Sequence, residues 1–115
     1  AIRRVAASED LAVATVWGAS GAYLVVYDVA AGQVTRVVDT GSDWAEVSVS
    51  GREFVWGNSA GNADPMMYYL SEGGEPVSLW GLQGLSAPLI NGETLVVPAE
   101  STDGAIVWEF LRWLR

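Results

Sequence analysis

Apolar residues in this chain come in short runs broken by Gly, Ser, Asn and Asp, and the runs are rich in Val, Tyr and Trp. β-branched and aromatic residues bounded by turn formers read as strands. The first third predicts strands at Ile2–Ala7, Leu11–Trp17, Ala22–Asp28 and Gln33–Asp39. The middle third predicts Trp44–Ser50, Glu53–Trp56, Met66–Leu70 and Pro76–Trp80, with Pro65 and Pro76 at strand starts, where proline is tolerated. The last third predicts Ala87–Ile90, Thr94–Ala99 and Ala105–Phe110. Its tail, Leu111 to Arg115, fits an extended continuation, a strand supplied to a neighbour or a short helix. Between the third and fourth strands stands Asp28-Val29-Ala30-Ala31-Gly32. There the Asp side chain is expected to bond nearby amides and the Gly to take positive φ.

The three thirds repeat one plan. "VSVSGREFVWGNSAGNADPMMYYL" from Val47 aligns with "APLINGETLVVPAESTDGAIVWEF" from Ala87: a short strand, a Gly turn, an apolar strand, a polar loop and another apolar strand. "RVAASEDLAVATVWGASGAYLVVYDV" from Arg4 follows the same order, with Glu9-Asp10 in place of the Ser-Gly or Asn-Gly turn. The unit is about 40 residues long, the range of four-stranded propeller blades. Phe54-Val55-Trp56, Leu95-Val96-Val97 and Tyr23-Leu24-Val25-Val26-Tyr27 are apolar at consecutive positions rather than alternating, which predicts sheets covered on both faces. The expected fold is all-β: three four-stranded antiparallel meanders, as blades of a β-propeller whose ring is completed by another chain or copy. The 115 residues form a single segment, with blades at about 1–41, 42–83 and 84–115.

The segments "YLVVYDVAAGQVTRVV" and "SVSGREFVWGNSAGNADPMMYYL" resemble TolB-like and WD-type propeller repeats, whose blades read as an apolar strand, a polar loop, a strand ending in Tyr-Asp and a Gly turn. The Trp-Asp dipeptide and Gly-His signature of WD repeats are missing. The resemblance implies that the connections between blades and the loops between second and third strands gather on one rim, the usual ligand side, and it leans towards an extracytoplasmic location. Closed propellers typically need about 4–8 blades, so three leave two faces open. A two-fold dimer would give six blades, and the remainder of a longer propeller would serve equally.

Composition narrows the chemistry. Half of the residues are apolar and 17% are charged, against a usual charged share of about a quarter, which points to surface hidden by a partner. Six arginines, no lysine and fourteen acids give a net charge of -8, which disfavours a nucleic-acid ligand. With neither Cys nor His, thiolate nucleophiles, Ser-His-Asp machines and the commonest metal ligands are excluded within the chain. Leu11 to Tyr27 carries no charge, but Thr15, Gly18, Ser20 and Gly21 interrupt it, so two strands around a turn are expected rather than a membrane span. No secretory leader is expected, since no apolar core of the right form follows Ala1-Ile2-Arg3-Arg4.

The implied rim would collect Asp39, Ser42, Asp43, Trp44 and Gln83, together with Asn58, Asn62, Asp64, Glu100 and Asp103. Of these, Asp43, Trp44, Asn62, Asp64, Gln83 and Asp103 are the candidate ligand-binding residues. Carboxylates beside an aromatic ring suit a sugar or a cationic group, although the same residue types are ordinary turn formers. Asn58 to Asp64 is oxygen-rich, but its spacing lacks the closing bidentate Glu of a calcium loop, so no metal is expected. Trp17, Trp56 and Trp108 fall within or at the ends of apolar strands as candidate inter-sheet packing, and Trp80 closes a fourth strand. Trp44 and Trp113 remain for function. No acid pair, phosphate loop or cofactor motif stands out, so no catalytic residue and no cofactor is nominated. The functional expectation is a non-enzymatic binding or assembly module that oligomerises and recognises a protein or glycan on one rim. The alternative is part of a larger propeller enzyme, such as a hydrolase, with most catalytic residues outside this chain.

Overall fold

The computed structural model of the chain describes residues 2–41, 45–58, 66–71, 77–78, 88–100 and 106–112. All regular structure among them is β. The first sheet holds β1 (Ile2–Ala7), β2 (Leu11–Gly18), β3 (Gly21–Asp28) and β4 (Gln33–Asp39), paired in chain order. The second holds β5 (Ala45–Ser50), β6 (Glu53–Asn58), β7 (Met66–Ser71) and β8 (Val77–Ser78), again in order. The third holds β9 (Leu89–Asn91), β10 (Thr94–Glu100) and β11 (Ile106–Arg112). Every pairing is antiparallel, so each sheet is a simple meander.

Local chemistry sets the turns. Gly51 and Gly92 open the β5–β6 and β9–β10 turns at φ 57° and 58°, a conformation that costs glycine little because it lacks a Cβ. The β3–β4 turn forms as its residues predict: Asp28 Oδ1 accepts from the Ala31 amide at 3.0 Å, and the Gly32 amide donates to the Asp28 carbonyl at 2.9 Å, with Gly32 at φ 67°. Register shifts between Ile2 and Arg4 and between Val26 and Tyr27 interrupt two otherwise regular ladders. Leu111 and Arg112 extend β11, Arg112 pairing with Thr94, which settles the start of the tail as extended chain. The uncharged stretch from Leu11 forms two strands around Ala19-Ser20, as expected. Among the described residues no helix is long and apolar enough to cross a membrane.

The core lies between the first two sheets. From the first come Leu11, Val13, Ala22, Leu24, Val26 and Val38, and from the second Ala45, Phe54 and Trp56, with Val47 and Val49 packed at the side. The Phe54 and Trp56 rings stack at 5.8 Å between centroids. Side chains alternate across a strand, so Val55, paired with Ser48, faces the other way, towards β9 of the third sheet. Phe54, Val55 and Trp56 are all buried, with 1%, 0% and 2% of their surfaces exposed. At β6 the middle sheet is therefore covered on both faces, which is why that strand shows no alternation in its sequence.

The first sheet differs. Tyr23 to Tyr27 is apolar throughout, yet burial alternates along β3, with Ala22, Leu24 and Val26 inside and Tyr27 40% exposed. The expected covering of both faces holds for the second sheet and not for this one, because within the described residues no element packs on its far side. Trp17 also departs from the expectation of a ring packed between sheets. It stands near the end of β2, paired with the buried Ala22, and is 36% exposed rather than enclosed. Trp80 and the side chain of Trp108 lie outside the described residues.

Deleting a fully buried ring removes its transfer energy and leaves a cavity. Trp56→Ala is therefore expected to lower unfolding stability by about 3–5 kcal/mol. Val37→Ala, at a position 60% exposed, should cost under about 0.5 kcal/mol. Urea unfolding of the two variants measures the difference, and similar losses would contradict the assigned core.

Candidate functional site

A repeated clip fixes how the sheets sit on one another. Ser8, just before the β1–β2 turn, donates its hydroxyl to the Gly51 carbonyl in the β5–β6 turn at 2.6 Å. Ser50, just before the β5–β6 turn, accepts at Oγ from the Gly92 amide in the β9–β10 turn at 2.8 Å. The two bonds join equivalent positions of the repeat, their partners separated by 43 and 42 residues. Ser48 Oγ adds a bond from the Ile90 amide at 3.0 Å. Ser8 Oγ also accepts from the Asp10 and Leu11 amides, so its own turn holds the hydroxyl in place.

Ionic contacts reinforce the first junction. Arg52 donates to Asp28 Oδ2 at 2.6 Å, and Arg4 reaches Glu46 Oε1 at 3.1 Å. The second pair is surface-exposed on its arginine side and contributes little. Asp28 is more constrained. The Arg52 guanidinium hydrogen-bonding to it, followed by the Ala31 amide, holds its carboxyl below the ordinary range, against a smaller opposing effect of desolvation. Thr40, which leads into the connection towards β5, donates both its amide and its hydroxyl to the Ala22 carbonyl, at 3.2 and 2.7 Å. Among the buried polar side chains, the Thr15 hydroxyl has no hydrogen-bond partner among the described residues.

The clips place the β1–β2, β5–β6 and β9–β10 turns at one common end of the stacked sheets. The register then puts Gly18, Asp39, Ala45, Asn58 and Glu100 at the opposite end, since Gly18 pairs with Gly21, Tyr23 with Asp39, Ala45 with Asn58 and Glu100 with Ile106. The connections carrying the predicted ligand residues leave from that end. Asp43, Trp44, Asn62, Asp64, Gln83 and Asp103 themselves lie outside the described residues, as do Ser42 and positions 59–64 of the oxygen-rich loop. Asp39 is described and exposed, and its Oδ1 accepts from the Gly41 amide at 2.9 Å, a turn-forming role. No cluster of three or more metal-ligating side chains occurs among the described residues.

What the structure adds is a surface. The outer face of the first sheet presents Val5, Tyr27, Val34 and Val37, exposed by 62%, 40%, 53% and 60%, around the half-buried Val16, Tyr23 and Val25 and the small residues Ala12 and Ala14. Register puts these on one face: Val5 and Val25 pair with Ala14, Tyr27 pairs with Ala12 and Val34, Tyr23 with Val16, and Val37 with Val25. Soluble proteins seldom leave such a contiguous apolar face open unless something binds it. Sequence reading expected open end faces but did not place one here, because the run from Tyr23 to Tyr27 looks the same whether its second face is covered inside the chain or by something else. It also missed the clips, although serines preceding turns 42 residues apart were a usable signal.

No protein-family model, curated protein or solved structure matches this chain.

Because the Asp28 carboxyl is depressed in the folded protein, its pairing with Arg52 stabilises the fold above the pKa of an unfolded aspartate, about 4, and that contribution disappears as pH falls through the lower folded value. Asp28→Asn should therefore lower the urea midpoint at pH 7 and reduce the loss between pH 5 and 2, relative to the unmodified chain (roughly the range over which a paired aspartate titrates). An unchanged acid-side slope in the variant would show that the pair does not couple folding to pH.

Proposed function

We propose that this chain is a non-enzymatic assembly and binding module: a partial β-propeller whose exposed end faces are covered by further blades and whose opposite rim recognises a protein or a glycan. The observation that carries the reading is the apolar outer face of the first sheet, with Val5, Val34 and Val37 each more than half exposed. Two further features support it. Successive meanders stack face to face through β1, β2, β5, β6 and β9, and the same turn-to-turn clip recurs at both junctions. A stack that grows by repeating one junction has no finished end of its own, so an added sheet buries what the last one leaves open.

The resemblance to TolB-like and WD-type repeats belongs with this reading. So does the recognition role of the rim, where connections rich in Asp, Asn and Trp, including Asp43, Trp44, Asn62, Asp64, Gln83 and Asp103, offer carboxylate acceptors and a stacking ring.

Sedimentation of the 115-residue chain is expected to show self-association at micromolar concentration. Val37→Asp, which sets a charge on the outer face, should reduce it at least tenfold while the far-ultraviolet spectrum stays that of a β protein. A stable monomer, or an assembly indifferent to Val37→Asp, would overturn the reading. For the rim, Trp44→Ala is expected to abolish retention on a glycan array with an unchanged urea midpoint. Retention that survives the substitution would remove Trp44 from the recognition surface.

A further inference from the structure

Three features bear on what else the fold does: the buried Thr15 hydroxyl, the Asp28–Arg52 pair and the two end faces with their clips. The hydroxyl is one buried oxygen on the core face, and the pair serves the junction between the first and second sheets.

In each sheet the residue just before the first hairpin turn faces the next sheet, and the first residue of that next turn receives it. Ser8 meets Gly51, and Ser50 meets Gly92. The third member of the series is Asn91, which immediately precedes Gly92 at the end of β9 and is exposed. Strand alternation gives its face. Ile90 and Leu95, paired with each other, are buried towards the second sheet, so Leu89, Asn91, Thr94 and Val96 point away from it. Leu89 is 54% exposed. The third sheet thus ends in a face built like those that receive a successor, with its clip residue in place.

The first sheet shows the complementary half. Its outer face corresponds to the sides of the second and third sheets that accept a predecessor, and Glu9, which the hairpin registers set level with Gly51 and Gly92, one position away from the match the residues alone suggest, is exposed. We propose that a second copy of this chain covers that face, the third sheet of each copy stacking on the first sheet of the other, with Asn91 clipped to the backbone of the partner's Glu9. This rests on the partial-ring reading and names its partner.

Several features favour a copy as the occupant. The two open faces belong to one chain and continue an interface that the chain already makes twice. One contact between unlike faces, repeated by a two-fold axis, closes into a ring and leaves neither face open. Apart from Asp39 at its end, the described outer face of the first sheet carries no charge, so that side of the junction adds no buried carboxylate although each chain has a net charge of -8. The Asn amide both donates and accepts, so it can serve the Glu9 carbonyl as Ser8 serves Gly51, or the amide as Ser50 serves Gly92. Its longer reach also suits a turn residue that carries a Cβ.

The chain has no cysteine, so cross-linking tests the junction cleanly. Single variants Glu9→Cys and Asn91→Cys are mixed and oxidised mildly, each also being oxidised alone, with sedimentation of the unmodified chain alongside. The expected result is a disulfide-linked dimer containing one chain of each variant, in at least tenfold excess over the dimers that either variant forms by itself. Equal cross-linking in the separate variants would signify random collision and overturn the proposal. Self-association of the unmodified chain without the mixed disulfide would overturn this junction while leaving the assembly module standing. A monomeric unmodified chain would overturn both.

Discussion

The structure depends on a sheet that is dry on both sides. Phe54 and Trp56 press into the Leu11, Val13, Leu24 and Val26 face of the first sheet, while Val55 on the same strand faces the third. A single meander buries only one face of each strand, and small isolated sheets are at best marginal in water. Here the second meander supplies the missing layer to its predecessor and receives one from its successor. Stability is thus a property of the junctions, as in other repeat architectures where each unit leans mainly on its neighbours.

Polar groups then fix the stacking that the apolar ones favour. Hydrophobic burial is largely indifferent to direction, so Val and Leu faces alone would tolerate sliding. The bonds from Ser8, Ser48 and Ser50 to neighbouring backbone groups hold the sheets in one registry. Asp28 joins two roles, shaping the β3–β4 turn through Ala31 and gripping Arg52 of the next sheet. The same carboxylate therefore links a local turn to a long-range junction, which is where acid pH acts on the fold.

The two ends of the stack follow from the same logic. An interior sheet is finished by its neighbours, whereas the first sheet retains Val5, Val34 and Val37 in water on the side where a preceding unit would lie. Such a face is a cost for an isolated chain and an asset for an assembling one. The proposed function would be divided in space, with association on the faces of the sheets and recognition at the connections away from the clipped turns.

Much of this was legible in the residues. The strands of the first sheet, the Asp28–Gly32 turn and the Gly51 and Gly92 turns follow from β-branched enrichment and from glycine's access to positive φ, both local effects that one chain segment determines. The repeat likewise announced stacked meanders. Sequence could not separate Phe54-Val55-Trp56, buried on both faces, from Tyr23 to Tyr27, buried on one, because an apolar run records only that water should be excluded and not what excludes it. Nor could it place Trp17 at an exposed strand end or bring Ser8 to Gly51. Those outcomes depend on how one sheet sits against its neighbour, a long-range geometry that only the packed tertiary structure decides.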